Sequence, residues 1–463
     1  MTGTFHPFPA RSLRAHVGPL AFVALIALAV VWIGTHTWRP VEPHLVSGLP
    51  RTVSGDEPHY LIIVHSLLFD HDLALDDDYQ AVARGGPEAG SRFAGASLDP
   101  HTRLVPDDRS ASILWQELYD AMRLLPEPSD AHGFRFPPTK PNPLVPGSYV
   151  QAPAHPPAYA AMLAALIAPF RPAPGDVERM AGIATVCIAV ATLFAAYAAG
   201  IAAALTPRES AAAVALFALC SPWLVYSKSM FTEATAGLLL LPAVIAHLRG
   251  RPAVAGAFLG ATMWLKPYYA LAGCAWIVQR LFERRFRDAA VLTGVLAAAA
   301  AGLIAFNYMY AATPLVSGAG PVTFMFSPIS GINNWLFRPD FGLLVFAPWV
   351  VAIAAFVWFV PNGARVGVRA LAWPCLLQLA FLALIVPTDG GSGYGPRYMV
   401  QLMPWLSMLA VLSLRSRARP FSVAFAVLAF VSVLMAVPAA LQSEDTSLWI
   451  RPPHLPLKKW IAG

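Results

Sequence analysis

Apolar stretches separated by short polar turns dominate the sequence. The first stretch, Gly18 to Gly34, is followed by a polar segment at 36–154 that is rich in Pro, Asp, Arg and His. After a shorter stretch at 155–170, further apolar runs cover 180–204, 209–226, 231–248, 253–265, 268–282, 288–311, 341–360, 369–387, 398–414 and 419–440. An apolar helix of about 20 residues is long enough to cross a bilayer. The pattern predicts an all-α polytopic membrane protein with about eleven transmembrane helices.

The amino-acid composition also indicates a membrane protein. Hydrophobic residues make up 57% of the 463 residues and charged residues only 13%, whereas a soluble domain carries about 25% charged residues. The formal charge of +6 comes mostly from short turns between apolar runs, which argues against nucleic acid as a partner. The cysteines lie far apart inside apolar runs without CxxC spacing, so neither a disulfide framework nor a zinc site is indicated. These cysteines are Cys187, Cys220, Cys274 and Cys375.

Basic turns set the expected orientation. The first apolar run has the length of a signal peptide, but no small-residue cleavage site follows it, so we interpret it as an uncleaved anchor. The remaining basic turns contain Arg249 and Arg251; Arg280, Arg284, Arg285 and Arg287; Arg365 and Arg369; and Arg415, Arg417 and Arg419. If these turns and the N-terminus are cytoplasmic, the apolar runs can cross the membrane in alternating directions only if the stretch 155–170 does not cross it. We therefore expect that stretch to form a juxtamembrane or re-entrant helix.

This alternation divides the chain into segments with defined sides. We predict a cytoplasmic N-terminus at 1–17, a first transmembrane helix at 18–35 and an extracytoplasmic loop with juxtamembrane helices at 36–179. Helices two to seven fall at 180–311, a second extracytoplasmic loop at 312–340, helices eight to eleven at 341–440 and an extracytoplasmic tail at 441–463. The polar residues of unusual type fall mainly in the extracytoplasmic segments, so function is expected on that side.

Two adjacent acids follow the first apolar run. Asp56 and Glu57 stand in the sequence Gly-Asp-Glu-Pro, and adjacent carboxylates repel each other, which favours a raised pKa for one of them. A carboxylate at a membrane-facing cleft can act as a general base toward an acceptor hydroxyl. In the alternative interpretation, Asp56 caps the helix predicted from His59 onward.

Two basic residues on the same side are candidate phosphate ligands. Lys266 precedes Pro267 and Tyr268 at the end of an apolar run, where it either snorkels to the interface or holds a phosphate together with Tyr268. Arg397 ends a glycine-rich loop that also contains Tyr394; it either binds a ligand or anchors the next helix at the interface.

Other polar residues have weaker functional signals. Lys228 and Glu233 share one outer loop and, like Tyr394, are candidate substrate ligands; in the alternative interpretation, Glu233 is an ordinary helix-start acid. His155, before two prolines, either contacts substrate or is a plain loop residue. The acidic turn from Asp70 to Asp78 has Leu75 where a calcium loop needs glycine, so no metal site is predicted.

Six motifs follow one another along the chain, namely Gly55–Tyr60, His155–Pro157, Ser227–Glu233, Lys266, the loop 312–340 with Phe341–Pro348, and Gly395–Tyr398. Taken in order, these motifs resemble those of GT-C-fold glycosyltransferases, a superfamily that includes protein O-mannosyltransferases and lipid A aminoarabinose transferases. Two features depart from the pattern: the first loop carries an insertion near 80–150, and no large soluble C-terminal domain like that of oligosaccharyltransferases is evident.

The resemblance implies a bacterial inner-membrane enzyme that moves a sugar from a polyprenyl-phosphate donor to a hydroxyl of a glycan, lipid or protein acceptor on the periplasmic or outer side. Asp56 would then be the base and Glu57 its support. Lys266 and Arg397 would bind the donor phosphate, and His59 and Tyr60 would line the site. The lipid-linked donor is a substrate, no cofactor is certain, and whether a divalent metal is needed stays open. Two other classes stay open, namely a lipid-linked sugar flippase or other transporter and a non-catalytic membrane scaffold.

Overall fold

The computed structural model describes residues 14–36, 57–73, 75, 102–106, 149–153, 156–311, 328–339, 341–360, 364–384, 394–415 and 419–441. Helices account for almost all of this part of the chain, as the sequence predicts. The α-helices are α1 (Arg14–His36), α2 (Glu57–His65), α3 (Ala158–Ile167), α4 (Val177–Ala202), α5 (Pro207–Leu219), α6 (Trp223–Tyr226), α7 (Thr232–Leu248), α8 (Pro252–Met263), α9 (Leu271–Phe282), α10 (Phe286–Ala311), α11 (Pro328–Phe337), α12 (Leu343–Phe346), α13 (Val351–Phe356), α14 (Arg365–Leu384), α15 (Met403–Leu414) and α16 (Arg419–Leu441).

Short elements complete the fold. A π-helical turn, Ser66–Asp70, extends α2, and the strands β1 (Thr102–Pro106) and β2 (Tyr149–Pro153) pair antiparallel within the long first polar segment. The 3-10 turns are Ala168–Phe170, Pro174–Asp176, Pro267–Ala270, Pro348–Val350, Val357–Phe359 and Arg397–Leu402.

Among the described helices, five are long and apolar enough to cross a membrane. They cover Arg14–Thr35, Pro174–Ala202, Phe286–Asn307, Arg365–Leu384 and Phe421–Leu441. Several other predicted runs are divided into shorter helices, so the number of about eleven spans stays a prediction. The stretch after His155 forms the ten-residue helix α3, which the 3-10 turn Ala168–Phe170 continues. Together they are about 20 Å long, which is too short to cross the hydrocarbon core.

The helices pack closely through small residues and buried tryptophans. A Cβ added at Gly260 would lie 2.8 Å from the Cβ of Ala299, so this glycine allows α8 to approach α10. The indole Nε1 of Trp276 donates to the carbonyl of Ala370 at 2.8 Å and ties α9 to α14. Small residues and interhelical hydrogen bonds are the usual basis of helix association in membranes, where lipid is as apolar as the side chains.

The ends of α7 define two faces of the molecule. Glu233, in the first turn of α7, contacts Lys266, which follows α8. At the opposite end of α7, the carbonyl of His247 accepts a hydrogen bond from Arg280, near the end of α9, at 2.7 Å. A helix of this length separates its ends by about 25 Å. We call the end with Glu233 the site face and the end with the turns at 249–251 and 283–285 the arginine face.

A second, smaller apolar cluster lies at the site face. It combines α2, α3 and the first half of α4 with residues that flank α7 and α8. Tyr60 of α2 and Tyr159 of α3 meet edge to face with ring centroids 5.0 Å apart, and the Tyr159 hydroxyl lies 3.1 Å from the hydroxyl of Thr185 on α4. This packing holds α2, which directly follows Asp56, against the end of the helical bundle.

Candidate active site

A buried carboxylate joins two distant cations at the site face. The Oε1 atom of Glu233 lies 3.0 Å from Nζ of Lys266 and 3.0 Å from Nε of Arg397. The Glu233 side chain is completely buried and the two cations are nearly so. Lys266 reaches this point because α8 has ended and the chain turns into the 3-10 helix Pro267–Ala270. Arg397 begins another 3-10 helix, immediately after Gly395 and Pro396.

The buried cluster brings two cations to one carboxylate oxygen. An ammonium and a guanidinium both contact Oε1 of Glu233, and all three side chains are largely removed from water. Removing charges from water is costly unless they are paired and hydrogen-bonded, so the ion pairs with Glu233 help the two cations to lie inside the protein. Ammonium and guanidinium groups are also the side-chain groups that bind phosphate in proteins.

Aromatic rings form the walls around these cations. The guanidinium of Arg397 lies 4.0 Å from the ring centroid of Phe231, and Nζ of Lys266 lies 5.8 Å from that of Tyr398. The ring of Tyr268 lies edge to face with that of Tyr398 at 5.9 Å. Cation–π contacts of this kind contribute about 0.5–2 kcal/mol each and fix the direction of the charged groups.

Glu57 connects α2 to the loop that leads into α7. Its carboxylate is buried, and Oε1 accepts a hydrogen bond from the backbone N–H of Met230 at 2.6 Å. Met230 stands three residues before Glu233, so this bond holds the start of α2 beside the charged cluster. Asp56, the predicted base, is the residue next to Glu57 in the chain and lies outside the described residues.

Lys228 and Tyr394 contact α16. Nζ of Lys228 donates to the carbonyl of Ala440 at 2.5 Å, and the hydroxyl of Tyr394 donates to the carbonyl of Met435 at 2.9 Å. Burial lowers the pKa of Lys228 to about 8, although the carboxylate of Glu57 acts in the opposite direction. These two predicted substrate ligands therefore hold the last described helix against the site face, and their contact with substrate stays a prediction.

The remaining predicted ligands are buried or lie outside the described residues. His59 and Tyr60 are buried in α2, where Tyr60 packs against Tyr159. His155 precedes the described part of the chain around α3. Over the ranges that the structure describes, no group of three or more His, Cys, Asp or Glu residues has the arrangement of a metal site.

Several participants were missed by the sequence analysis. Phe231 supports Arg397, Tyr398 lies close to both cations, and the hydroxyl of Tyr269 lies 3.1 Å from that of Thr232. Each of these residues lies within two positions of a predicted ligand in the sequence. Aromatic neighbours of an unusual charge in an apolar chain are the signal that would have found them.

Comparison with known proteins supports the fold. No protein-family model matches the chain, and no curated protein matches it. Among solved structures, the apo oligosaccharyltransferase of Archaeoglobus fulgidus is similar with a TM-score of 0.52 and 11% identity, over 96% of this chain and 57% of the archaeal chain. The ArnT of Cupriavidus metallidurans in the apo state is similar with a TM-score of 0.48 and 13% identity, over 89% of this chain and 62% of that one.

The similarity to the archaeal oligosaccharyltransferase defines the class of fold. The archaeal oligosaccharyltransferase has the GT-C fold, and the chain described here shares it, as the sequence motifs predicted. The chain spans 57% to 62% of the length of these solved neighbours.

Proposed function

We propose that this protein is an integral membrane glycosyltransferase that moves a sugar from a polyprenyl-phosphate donor to an acceptor hydroxyl. The convergence of Lys266 and Arg397 on one buried point carries this proposal. Two cations recruited from separate segments, beside the loop tied to Glu57, form the kind of site that a phosphate at the membrane surface requires. The GT-C fold, shared with an oligosaccharyltransferase, supports the same reaction class.

The proposed chemistry is a single displacement. Asp56 takes the proton of the acceptor hydroxyl, the acceptor oxygen forms a bond to the anomeric carbon, and the bond from that carbon to the phosphate oxygen breaks. The electron pair of that bond leaves with the polyprenyl phosphate, whose added negative charge Lys266 and Arg397 stabilise. One base without an enzyme nucleophile gives inversion at the anomeric carbon, unlike the double displacement of retaining glycosidases.

Glu233 and Glu57 have supporting roles in this proposal. Glu233 holds the two cations together, so that they are positioned before the donor arrives. Glu57 fixes the start of α2, and thereby the backbone next to Asp56, through its bond to Met230. Tyr268 belongs to the aromatic wall beside Lys266, and His59 and Tyr60 belong to the helix that follows the base.

The proposed orientation follows from the arginine face. Turns rich in arginine are retained on the cytoplasmic side, and this supports the proposal that the site face lies outside the cytoplasm. In a bacterial inner membrane, the donor's lipid would stay in the bilayer while its sugar phosphate meets the site from the periplasm. The sugar is a hexose or pentose, and the acceptor is a glycan, lipid or protein hydroxyl.

A transfer assay with defined polyprenyl-phosphate sugars tests this function. Asp56→Asn should reduce transfer by about 100-fold or more, the usual contribution of a general base, while the protein still inserts and folds. Asp176→Asn is a matched control, because Asp176 is an exposed acid just before α4. Full activity of the Asp56 variant removes this residue as the base. If the protein moves the lipid-linked sugar across the membrane of proteoliposomes without transferring the sugar to an acceptor, a flippase is favoured instead.

A further inference from the structure

A cleft at the arginine face lies on the opposite side from the candidate active site. It has a volume of about 350 Å³ and is bounded by the turn Gly250–Val254 on one side. Arg287, Asp288 and Val291 of α10 form the other side. The cleft therefore connects the start of α8 with the start of α10, one of the helices long enough to cross the membrane.

The polar end of this cleft is positively charged. Arg251 and Arg287 are both exposed, and neither forms an ion pair with a described residue. Asp288, the acid in the lining, is occupied by Arg285, whose Nη2 lies 2.5 Å from Oδ2. Two arginines thus remain available at the cleft for an anion from outside the chain.

The other end of the cleft is apolar and faces outward. Val254 and Val291 line it and are each more than one third exposed. Phe282 and Phe286 shortly precede Arg287 in the chain and are 86% and 63% exposed, so further apolar side chains are exposed around the turn that leads into α10. A soluble anion would use only the arginines, whereas an amphipathic anion would use both ends.

We propose that this cleft binds an anionic phospholipid, with the phosphate between Arg251 and Arg287 and the start of the acyl chains against Val254 and Val291. Basic pockets between membrane helices on the arginine-rich side are suited to such headgroups, because the surrounding leaflet supplies them at high concentration. The site is separated from the charged cluster around Glu233 by the full length of α7, so this inference does not depend on the proposed transferase activity.

Native mass spectrometry of the full-length protein in detergent tests this site. Phosphatidylglycerol is the probe, and phosphatidylcholine is the zwitterionic comparison. The double variant Arg251→Gln/Arg287→Gln should bind phosphatidylglycerol about 30-fold more weakly than the wild type, from the usual contribution of two arginines near an anionic lipid. The double variant Arg365→Gln/Arg369→Gln removes the same charge from exposed arginines of α14 and should bind as the wild type does.

Three results would overturn the proposal. Equal losses in the two double variants would mean that net charge, and not the cleft, attracts the lipid. Equal binding of phosphatidylcholine would mean that no anionic headgroup is selected. Equal thermal stabilisation by inorganic phosphate, lost in the same cleft variant, would mean that the cleft holds a soluble anion.

Discussion

Arg397 and Glu233 stand 164 residues apart in the chain and form a buried ion pair, with 3.0 Å between Nε and Oε1. Lys266 shares the same carboxylate oxygen. One glutamate therefore joins three segments, namely the start of α7, the turn after α8 and the 3-10 helix before α15. The contribution of Glu233 to stability can be measured separately from the substrate binding proposed for its two partners.

Glu233→Gln should destabilise the protein by about 3–5 kcal/mol, because it removes the buried negative charge that both Lys266 and Arg397 contact. Unfolding of the purified protein in mixed micelles measures this change. Glu283→Gln is the comparison, since Glu283 pairs with Arg280 at a partly exposed helix end, and such pairs contribute about 0–1 kcal/mol. If both variants unfold at the same denaturant concentration, Glu233 does not stabilise the junction.

Lys266→Ala should chiefly weaken use of the donor. A charge-assisted hydrogen bond to phosphate contributes about 1.5–3 kcal/mol, which corresponds to a rise in donor KM of about 10-fold to 100-fold. Lys266→Arg keeps the positive charge and should retain most of the affinity. An unchanged donor KM in a folded Lys266→Ala protein would contradict the phosphate role.

The sequence was sufficient to predict the fold class and most of the helices. The run 231–248 corresponds to α7 (Thr232–Leu248), and the run 253–265 closely matches α8 (Pro252–Met263). The run 209–226 is divided by Pro222, and the run 341–360 by Pro348, because proline lacks the N–H that would continue the helix and its ring crowds the preceding turn. A hydropathy profile does not show where these helices end, because the residues on both sides of each proline are apolar.

The membership of the charged cluster could be predicted only in part. Lys266, Arg397 and Glu233 were each selected as unusual charges on one side of the membrane. That both cations share one oxygen of Glu233 depends on how helices separated by 33 and 164 residues pack, and a single sequence carries no such information. The hydrogen bond between Glu57 and the backbone N–H of Met230 was missed for a related reason. Every residue except proline has a backbone N–H, so the sequence does not show which of them is the donor.

Gly395→Ala should displace Arg397 and reduce transfer. Gly395 has a φ of +64°, a conformation that costs other residues about 1–2 kcal/mol, and an added Cβ would lie 3.0 Å from the ring of Phe346. The backbone N–H of Arg397 also donates to the carbonyl of Gly395 at 2.8 Å. Transfer assays and thermal unfolding should both register the change.

Gly294→Ala is the control for this prediction. Gly294 lies in α10 with nothing within 4 Å of the added Cβ, so alanine should be neutral or slightly stabilising there. Normal activity and stability of the Gly395 variant would show that the loop accommodates a side chain without moving the arginine.

Lys228 should make stability depend on pH in the alkaline range. Its pKa is lowered to about 8 by burial, against the opposing effect of the Glu57 carboxylate, whereas the ordinary value is 10.5. Between these values the unfolded chain binds a proton that the folded protein has released, so this residue increases stability as the pH rises from about 8 to 10.5. Below pH 8 both states are protonated and the contribution no longer changes.

Melting temperatures across this range, compared between the wild type and two variants, isolate the effect. Lys228→Met removes the titrating group, and Lys228→Arg keeps a charge that is not lost below pH 12. Relative to either variant, the wild type should gain stability as the pH rises through the window, because only its side chain can become neutral beside the carbonyl of Ala440. Parallel pH profiles for all three proteins would mean that Lys228 titrates at its ordinary pKa and that its burial does not penalise the charge.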